Sequence, residues 1–307
     1  RHHRALGRRA EYRLPGPVPE EMSRAVNAIV AALAGLLVLA GMAATAQAQI
    51  VRAQTASPFA NWAAIVVAGD WRAHDGGPSE GFDNARRDIS KALIQAGFSK
   101  ANIVQFSTHP ANYPDTRPLK TEFGAVNAEL ARLAGQAADG CLVYFTSHGS
   151  GMGILFGDDV LTPAGMARMV GGACGTRPTV VVISACFSGV FVPTIAAPNR
   201  MVLTAARADR SSFGCGQNDK YPYFDACMLE SLPGATDFLA LGRRAQACVA
   251  NREKAEGLSP ASEPQLAVGG AMRPVLPLYA FAERCTLPAS QANMACGPAT
   301  AASAPGR

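Results

Sequence analysis

Short unbroken apolar runs alternate along this chain with segments whose apolar residues recur at helical spacing. Residues 63–68 (Ala-Ala-Ile-Val-Val-Ala), 103–106, 142–146 (Leu-Val-Tyr-Phe-Thr), 180–184 (Val-Val-Val-Ile-Ser) and 201–206 have strand length with almost no polar interruption. That is the pattern of strands buried on both faces. Ile89, Leu93 and Ala96 fall on one helical stripe, as do Phe123, Val126, Leu130 and Leu133, which predicts helices over 84–96 and 119–137. Gly97 is placed to end the first of these, because the left-handed helix terminus favours glycine. Thr162-Pro163 opens a third helix over 162–170, with Thr162 as N-cap and Pro163 in the first turn. Two more helices are expected near 224–232 and 237–256, and a last strand over 275–281. Strands alternating with helices predict an α/β fold with a mostly parallel central sheet flanked by helices.

The ends of the chain depart from this pattern. Met22 is the first methionine; Arg24 follows it, then an uncharged apolar stretch over 28–40 and the small-x-small triplet Ala46-Gln47-Ala48. This reads as a secretory signal over 22–48, with residues 1–21 as an upstream, non-native extension. The apolar stretch is short for a bilayer span and no basic cluster follows it, so no stable membrane span is expected after its removal. Residues 49–60 read as a linker, 61–284 as one catalytic-sized domain, and the Ala/Ser/Pro-rich 285–307 as a low-complexity, mobile tail. The expected location is therefore exported, periplasmic or secreted.

Composition narrows the function classes. At 49% apolar and 17% charged residues the chain is globular rather than disordered. Of the net charge of +5, residues 1–48 carry six Arg against three Glu, so the remainder is nearly neutral. With no basic run interleaved with aromatics, nucleic-acid binding is not expected. Eight cysteines in an exported chain invite disulfides. If one is a reactive thiol, at least one other stays free or pairs between chains.

Chemistry in open α/β sheets collects beyond the carboxyl ends of the strands. Two buried strands end there on reactive side chains flanked by small ones: Ser147-His148-Gly149 and Ala185-Cys186-Phe187-Ser188-Gly189. A cysteine at a strand end is commonly a small buried hydrophobe, and a lone histidine before glycine is a weak signal. Of the three histidines after residue 48 (His74, His109 and His148), only His148 ends a strongly apolar strand. The pair at matching strand ends favours thiol chemistry. A thiol with an ordinary pKa of about 8.5 is little ionised at neutral pH, and a neighbouring imidazole raises the reactive fraction. His148 then protonates the leaving amine, while the amides of Gly149 and Cys186 are placed to hold an oxyanion. No P-loop, C-x-x-C or H-E-x-x-H occurs, so neither cofactor nor metal is expected.

These residues also carry a resemblance. Phe145-Thr146-Ser147-His148-Gly149 and Ser184-Ala185-Cys186-Phe187-Ser188-Gly189 resemble the Phe-Thr-Asp-His-Gly and Glu-Ala-Cys-Glu-Ser-Gly segments of the legumain family of caspase-fold cysteine peptidases. Thr204-Ala205-Ala206 and Ser211-Ser212-Phe213 are similar to the segment lining that family's primary specificity pocket. The resemblance implies a caspase-like three-layer fold and hydrolysis of peptide bonds by a Cys186–His148 dyad through an acyl-enzyme. The partner is a peptide or protein substrate. It further implies substrate contacts from Ser184, Ser211 and Ser212. Asp225 matches an acidic pocket residue, or else is a charge at the start of the following helix. Arg86, with Asn84, stands for the family's pocket residues, or the basic pair including Arg87 is a surface charge. An Asp225–Arg86 pocket implies cleavage after Asn or Asp. Ser184 stands where the family has an acid, which weakens that preference. The alternatives are a transpeptidase or transamidase of the same fold, and an inactive peptide-binding module.

Overall fold

The computed structural model describes residues 57–282. The extension, the signal, most of the linker and the tail from 285 onward, with Cys285 and Cys296, lie outside the described residues. Ten strands and six α-helices are numbered here in chain order. A seven-stranded sheet runs in the order β10-β9-β8-β4-β1-β2-β3. Its strands are β1 (Trp62–Ala68), β2 (Ile103–Ser107), β3 (Leu119–Lys120), β4 (Gly140–Thr146), β8 (Thr179–Ser184), β9 (Arg200–Thr204) and β10 (Gln265–Val268). All neighbours are parallel except β9 and β10. β1, β4 and β8 are buried at every position, which is why they read as unbroken apolar runs.

Side chains alternate across the sheet, so each face has its own core. On one face Ile65, Val67, Val143, Phe145, Val181 and Ile183 meet α2 (Phe123–Gln136), α3 (Pro163–Cys174) and the short α4 (Val192–Ile195). On the other, Ala64, Val66, Leu142, Tyr144 and Val182 meet α1 (Gly81–Gln95), α5 (Tyr223–Ser231) and α6 (Phe238–Ala255). The result is a three-layer α/β domain. Thr162 caps α3 as expected, its Oγ1 accepting from the Gly165 amide at 3.2 Å.

Three expectations are corrected. Phe59, placed in the linker, is fully buried and stacks on Phe98 at 4.6 Å, so the packed region begins before residue 61. Residues 119–120 pair with β2 as β3, and the helix expected there starts only at Phe123. Residues 275–281 form no strand. Pro277 in their midst has no N–H for a ladder, and Leu276–Leu278 make a 3-10 turn. The last strand is instead Gln265–Val268, antiparallel to β9. A small hairpin sheet, β5 (Gly149–Ser150), β6 (Gly153–Phe156) and β7 (Asp159–Leu161), follows β4 and carried no distinct apolar pattern. Among the described residues no helix is long and apolar enough to cross a membrane.

Candidate active site

β4 and β8 run side by side, with Thr146 opposite Ser184, and the amide of Ser147 extends the ladder to the Ser184 carbonyl at 3.0 Å. The chain segments bearing His148 and Cys186 therefore leave the sheet as neighbours. Gly149 is where they touch. A Cβ there would lie 2.2 Å from the Cys186 carbonyl oxygen and 3.0 Å from Ala185 Cβ, so only glycine permits this approach.

His148 is half-buried, its ring edge-on to Phe82 at 5.0 Å. Its Nε2 lies 2.9 Å from the carbonyl oxygen of Arg72. A carbonyl only accepts, so Nε2 carries the proton and Nδ1 of the neutral ring keeps its lone pair. Arg72 follows β1, and its turn is built on Asp70. Asp70 Oδ1 accepts from the amides of Trp71 (2.8 Å) and Arg72 (3.3 Å) and from Arg72 Nε (2.9 Å), although Asp70 itself is only 1% exposed. Neither residue was singled out from sequence. The only available signal was Gly69-Asp70 at the end of an apolar strand.

Cys186 is half-buried and free. Its sulfur receives the Ser212 amide at 3.2 Å and lies 3.5 Å from both the Ser212 carbonyl and Oγ. The next residue, Phe187, has φ 57°, a left-handed conformation that costs a non-glycine residue about 1–2 kcal/mol and is typical of functional turns. The Phe187 amide is bonded to the Arg210 carbonyl at 2.8 Å, so the segment after β9 holds the cysteine turn. Ser211 is exposed beside it, and Ser212 is half-buried against the sulfur.

Residues 117–232 match the sequence profile of the Peptidase C13 family, and this span contains His148, Gly149, Cys186, Ser211, Ser212 and Asp225. The chain is a cysteine peptidase that over these residues is similar to the C13 family. Among solved structures it is similar to caspase-1 from Spodoptera frugiperda, at 16% identity and a TM-score of 0.49, over 69% of this chain and 88% of that one. No curated protein matches it.

The legumain-like pocket residues lie elsewhere than the resemblance implied. Asp225 is fully enclosed and accepts from Tyr144 Oη (2.5 Å), Thr146 Oγ1 (2.6 Å) and Ser184 Oγ (2.9 Å). Burial pushes its carboxyl up to about 6, against the downward pull of the three hydroxyls. Ser184 is buried with it. Arg86 is also fully buried. Its Nε donates to Asp83 at 2.7 Å, its Nη1 to Gln105 at 2.6 Å and Thr116 at 3.2 Å, and its guanidinium lies 4.8 Å from the Tyr113 ring centre. Asn84 and Arg87 bond each other on the half-buried side of α1. The structure thus groups Gly149 and Ser212 with His148 and Cys186, and places Asp225 with Ser184 beneath the sheet ends and Arg86 toward β2.

Two disulfides, Cys141–Cys174 and Cys227–Cys248, leave Cys186 and Cys215 as the free thiols among the described residues. One convergence of metal-ligand types occurs there, Cys227, Glu230 and Cys248, but two of its members are joined in that second bridge and offer no thiolate.

Proposed function

We propose that this peptidase is an exported endopeptidase working through a Cys186–His148 dyad. The observation that carries the reading is the adjoining pair of strand ends, with His148 Nε2 tied to the Arg72 carbonyl so that Nδ1 is the ring's free base. His148 Nδ1 takes the Cys186 proton, and the sulfur forms a bond to the scissile carbonyl carbon. The amides of Gly149 and Cys186 receive the oxyanion. The protonated His148 gives its proton to the leaving amine as the C–N bond breaks. Water, deprotonated by His148, then resolves the thioester and restores the thiol. The left-handed turn at Phe187 and the Ser212 bonds hold the sulfur in place for this. The two disulfides support export, since such bridges persist in oxidising compartments. Asn or Asp at P1 finds no support from Asp225 or Arg86, because both side chains are fully buried away from solvent.

A peptide-library digest with wild type, Cys186→Ala and His148→Ala tests the reading. Cleavage should fall by at least about a thousandfold in either variant. Cleavage retained by Cys186→Ala would overturn the reading. Adding an amine-bearing acceptor peptide separates hydrolysis from transpeptidation: a ligated product would show the thioester being resolved by amine instead of water. Failure of the wild type to cleave any member, with peptides still bound, would favour the binding module.

A further inference from the structure

The two loops that support His148 and Cys186 are fastened to each other. The loop after β1, residues 69–80, sets the Arg72 carbonyl on His148 Nε2. The loop after β9, residues 205–222, brings the Ser212 amide to Cys186 Sγ and the Arg210 carbonyl to the Phe187 amide. Hydrogen bonds run directly between these loops. The His74 amide donates to the Cys215 carbonyl at 3.0 Å. Ser79 Oγ donates to the Gly216 carbonyl at 3.4 Å, and Gln217 Nε2 to Asp75 Oδ2 at 2.8 Å.

The Asp75–Gln217 contact is made wholly by side chains. Asp75 Oδ1 accepts from the Gly77 amide at 3.1 Å, which fixes the carboxylate within its own turn and leaves Oδ2 for Gln217. The Gln217 bond, and after it the Gly77 amide, hold the Asp75 carboxyl below the usual carboxylate range, so it is ionised at neutral pH and the contact is charge-assisted. The loops approach closely here: a Cβ on Gly77 would lie 2.3 Å from Gln217 Nε2. The Gly216 amide donates to Asp219 Oδ2 at 2.7 Å, which shapes the turn that presents Gln217. Both side chains are exposed, and exposed contacts of this kind add little to global stability. What the contact fixes is the spacing of the two loops.

We propose that Asp75 and Gln217 form a clasp that sets His148 and Cys186 relative to each other, with Gln217 as the positioning residue. The proposal rests on the peptidase reading for the two groups being a dyad. With the clasp made, the loop that holds the imidazole and the loop that holds the sulfur keep one spacing. With it broken, each loop retains its strand and its own contact, but the distance from His148 Nδ1 to the sulfur drifts. An error of about 1 Å in such a distance costs on the order of a hundredfold in rate.

The test combines steady-state kinetics with iodoacetamide labelling of Cys186 across pH, read by peptide mapping. The proteins are wild type, Gln217→Ala, Gln217→Glu and the double variant Asp75→Asn/Gln217→Glu. Burial pushes the Cys215 thiol up, so labelling at neutral pH reports Cys186. Gln217→Ala should lower kcat about tenfold with KM changed less than about twofold. Its Cys186 labelling midpoint should move to higher pH, since a displaced imidazole favours the thiolate less, while Tm stays near that of wild type. Gln217→Glu sets two carboxylates against each other and should lose at least as much. The double variant exchanges donor and acceptor across the same contact and should return kcat to within about threefold of wild type. Wild-type kcat and labelling in Gln217→Ala would overturn the clasp, as would a loss that the exchanged pair does not restore or that merely follows a lowered Tm. Labelling needs no catalysis, so a midpoint that moves and is restored in a protein that cleaves nothing sinks the peptidase reading alone. Cleavage by wild type, with kcat and labelling unmoved by the variants, sinks the clasp alone.

Discussion

Asp70 accepts three hydrogen bonds from the two residues after it, and the second of these turns its carbonyl onto His148 Nε2. In the proposed mechanism the carboxylate therefore acts by fixing where one backbone oxygen points. Replacing it with Ala frees the turn, leaves two amides short of an acceptor and lets the imidazole tilt or change tautomer. Misplacement of a catalytic group by about 1 Å costs on the order of a hundredfold in rate. Asp70→Ala should therefore lower kcat by about 10- to 100-fold with KM changed little. Asp70→Asn, which keeps an acceptor at Oδ1, should stay within a few-fold of wild type. Steady-state kinetics across pH checks this, and a loss expressed only in KM would place Asp70 outside the dyad's support. At this scale the sequence singled out side chains with their own chemistry, such as His148 and Cys186, which the structure carries on adjoining strand ends. It was silent on Arg72, since a carbonyl oxygen is common to every residue and its role depends on a turn. Asp225 and Arg86 look like free charges when read singly, and only tertiary packing reveals the hydroxyls and amide that surround them.

Helix α5 is fastened to the sheet through Asp225, which reaches Tyr144 and Thr146 on β4 and Ser184 on β8. Its pH consequence has a definite sign. The folded carboxyl titrates near 6 against an ordinary value of 3.8, so the native state holds the proton more tightly than the unfolded chain. That contribution is fully present below about pH 4 and is lost as pH rises to about 6. At about 1.4 kcal/mol per unit, the group costs the fold on the order of 3 kcal/mol by pH 7. In urea denaturation between pH 4 and 7, the gap between Asp225→Asn and wild type should shift in the variant's favour by an amount of that order. A gap independent of pH would show that Asp225 does not titrate in this window. The same element illustrates what pattern reading captures. The β4 and β8 cores were legible because double-sided burial leaves an unbroken apolar run, and α1 and α2 because their apolar residues recur at helical spacing. β10 was missed because a four-residue, half-buried edge strand has no such signature, whereas 275–281 is apolar for a different reason: Tyr279 and Phe281 pack on Phe59.

The whole domain brings the site together from four parallel strands. β1 supplies the Asp70–Arg72 turn, β4 His148, β8 Cys186, and the segment after β9 the Ser212 contacts to the sulfur. No single loop contains the proposed chemistry, so the geometry of the His148 and Cys186 strand ends depends on both cores at once. Each core carries one bridge: Cys141–Cys174 ties β4 to α3 on one face, and Cys227–Cys248 ties α5 to α6 on the other. The bridged residues are 33 and 21 positions apart, and loops of that size restrict the unfolded chain by about 3–4 kcal/mol each. For a domain of this size, where Tm moves by roughly 2–4 °C per kcal/mol, replacing either pair with Ala should lower Tm by about 10 °C. The more discriminating expectation concerns activity. Since the site spans both layers, peptide cleavage and the near-ultraviolet dichroism of the core aromatics should disappear in the same thermal transition. This should hold in wild type and in both double variants, with the two midpoints moving together. Cleavage lost well below the unfolding midpoint in the Cys141→Ala/Cys174→Ala protein would mean that the His148 strand end loosens independently of the rest. The dyad would then be a locally unstable element resting on one bridge instead of a product of the entire sheet.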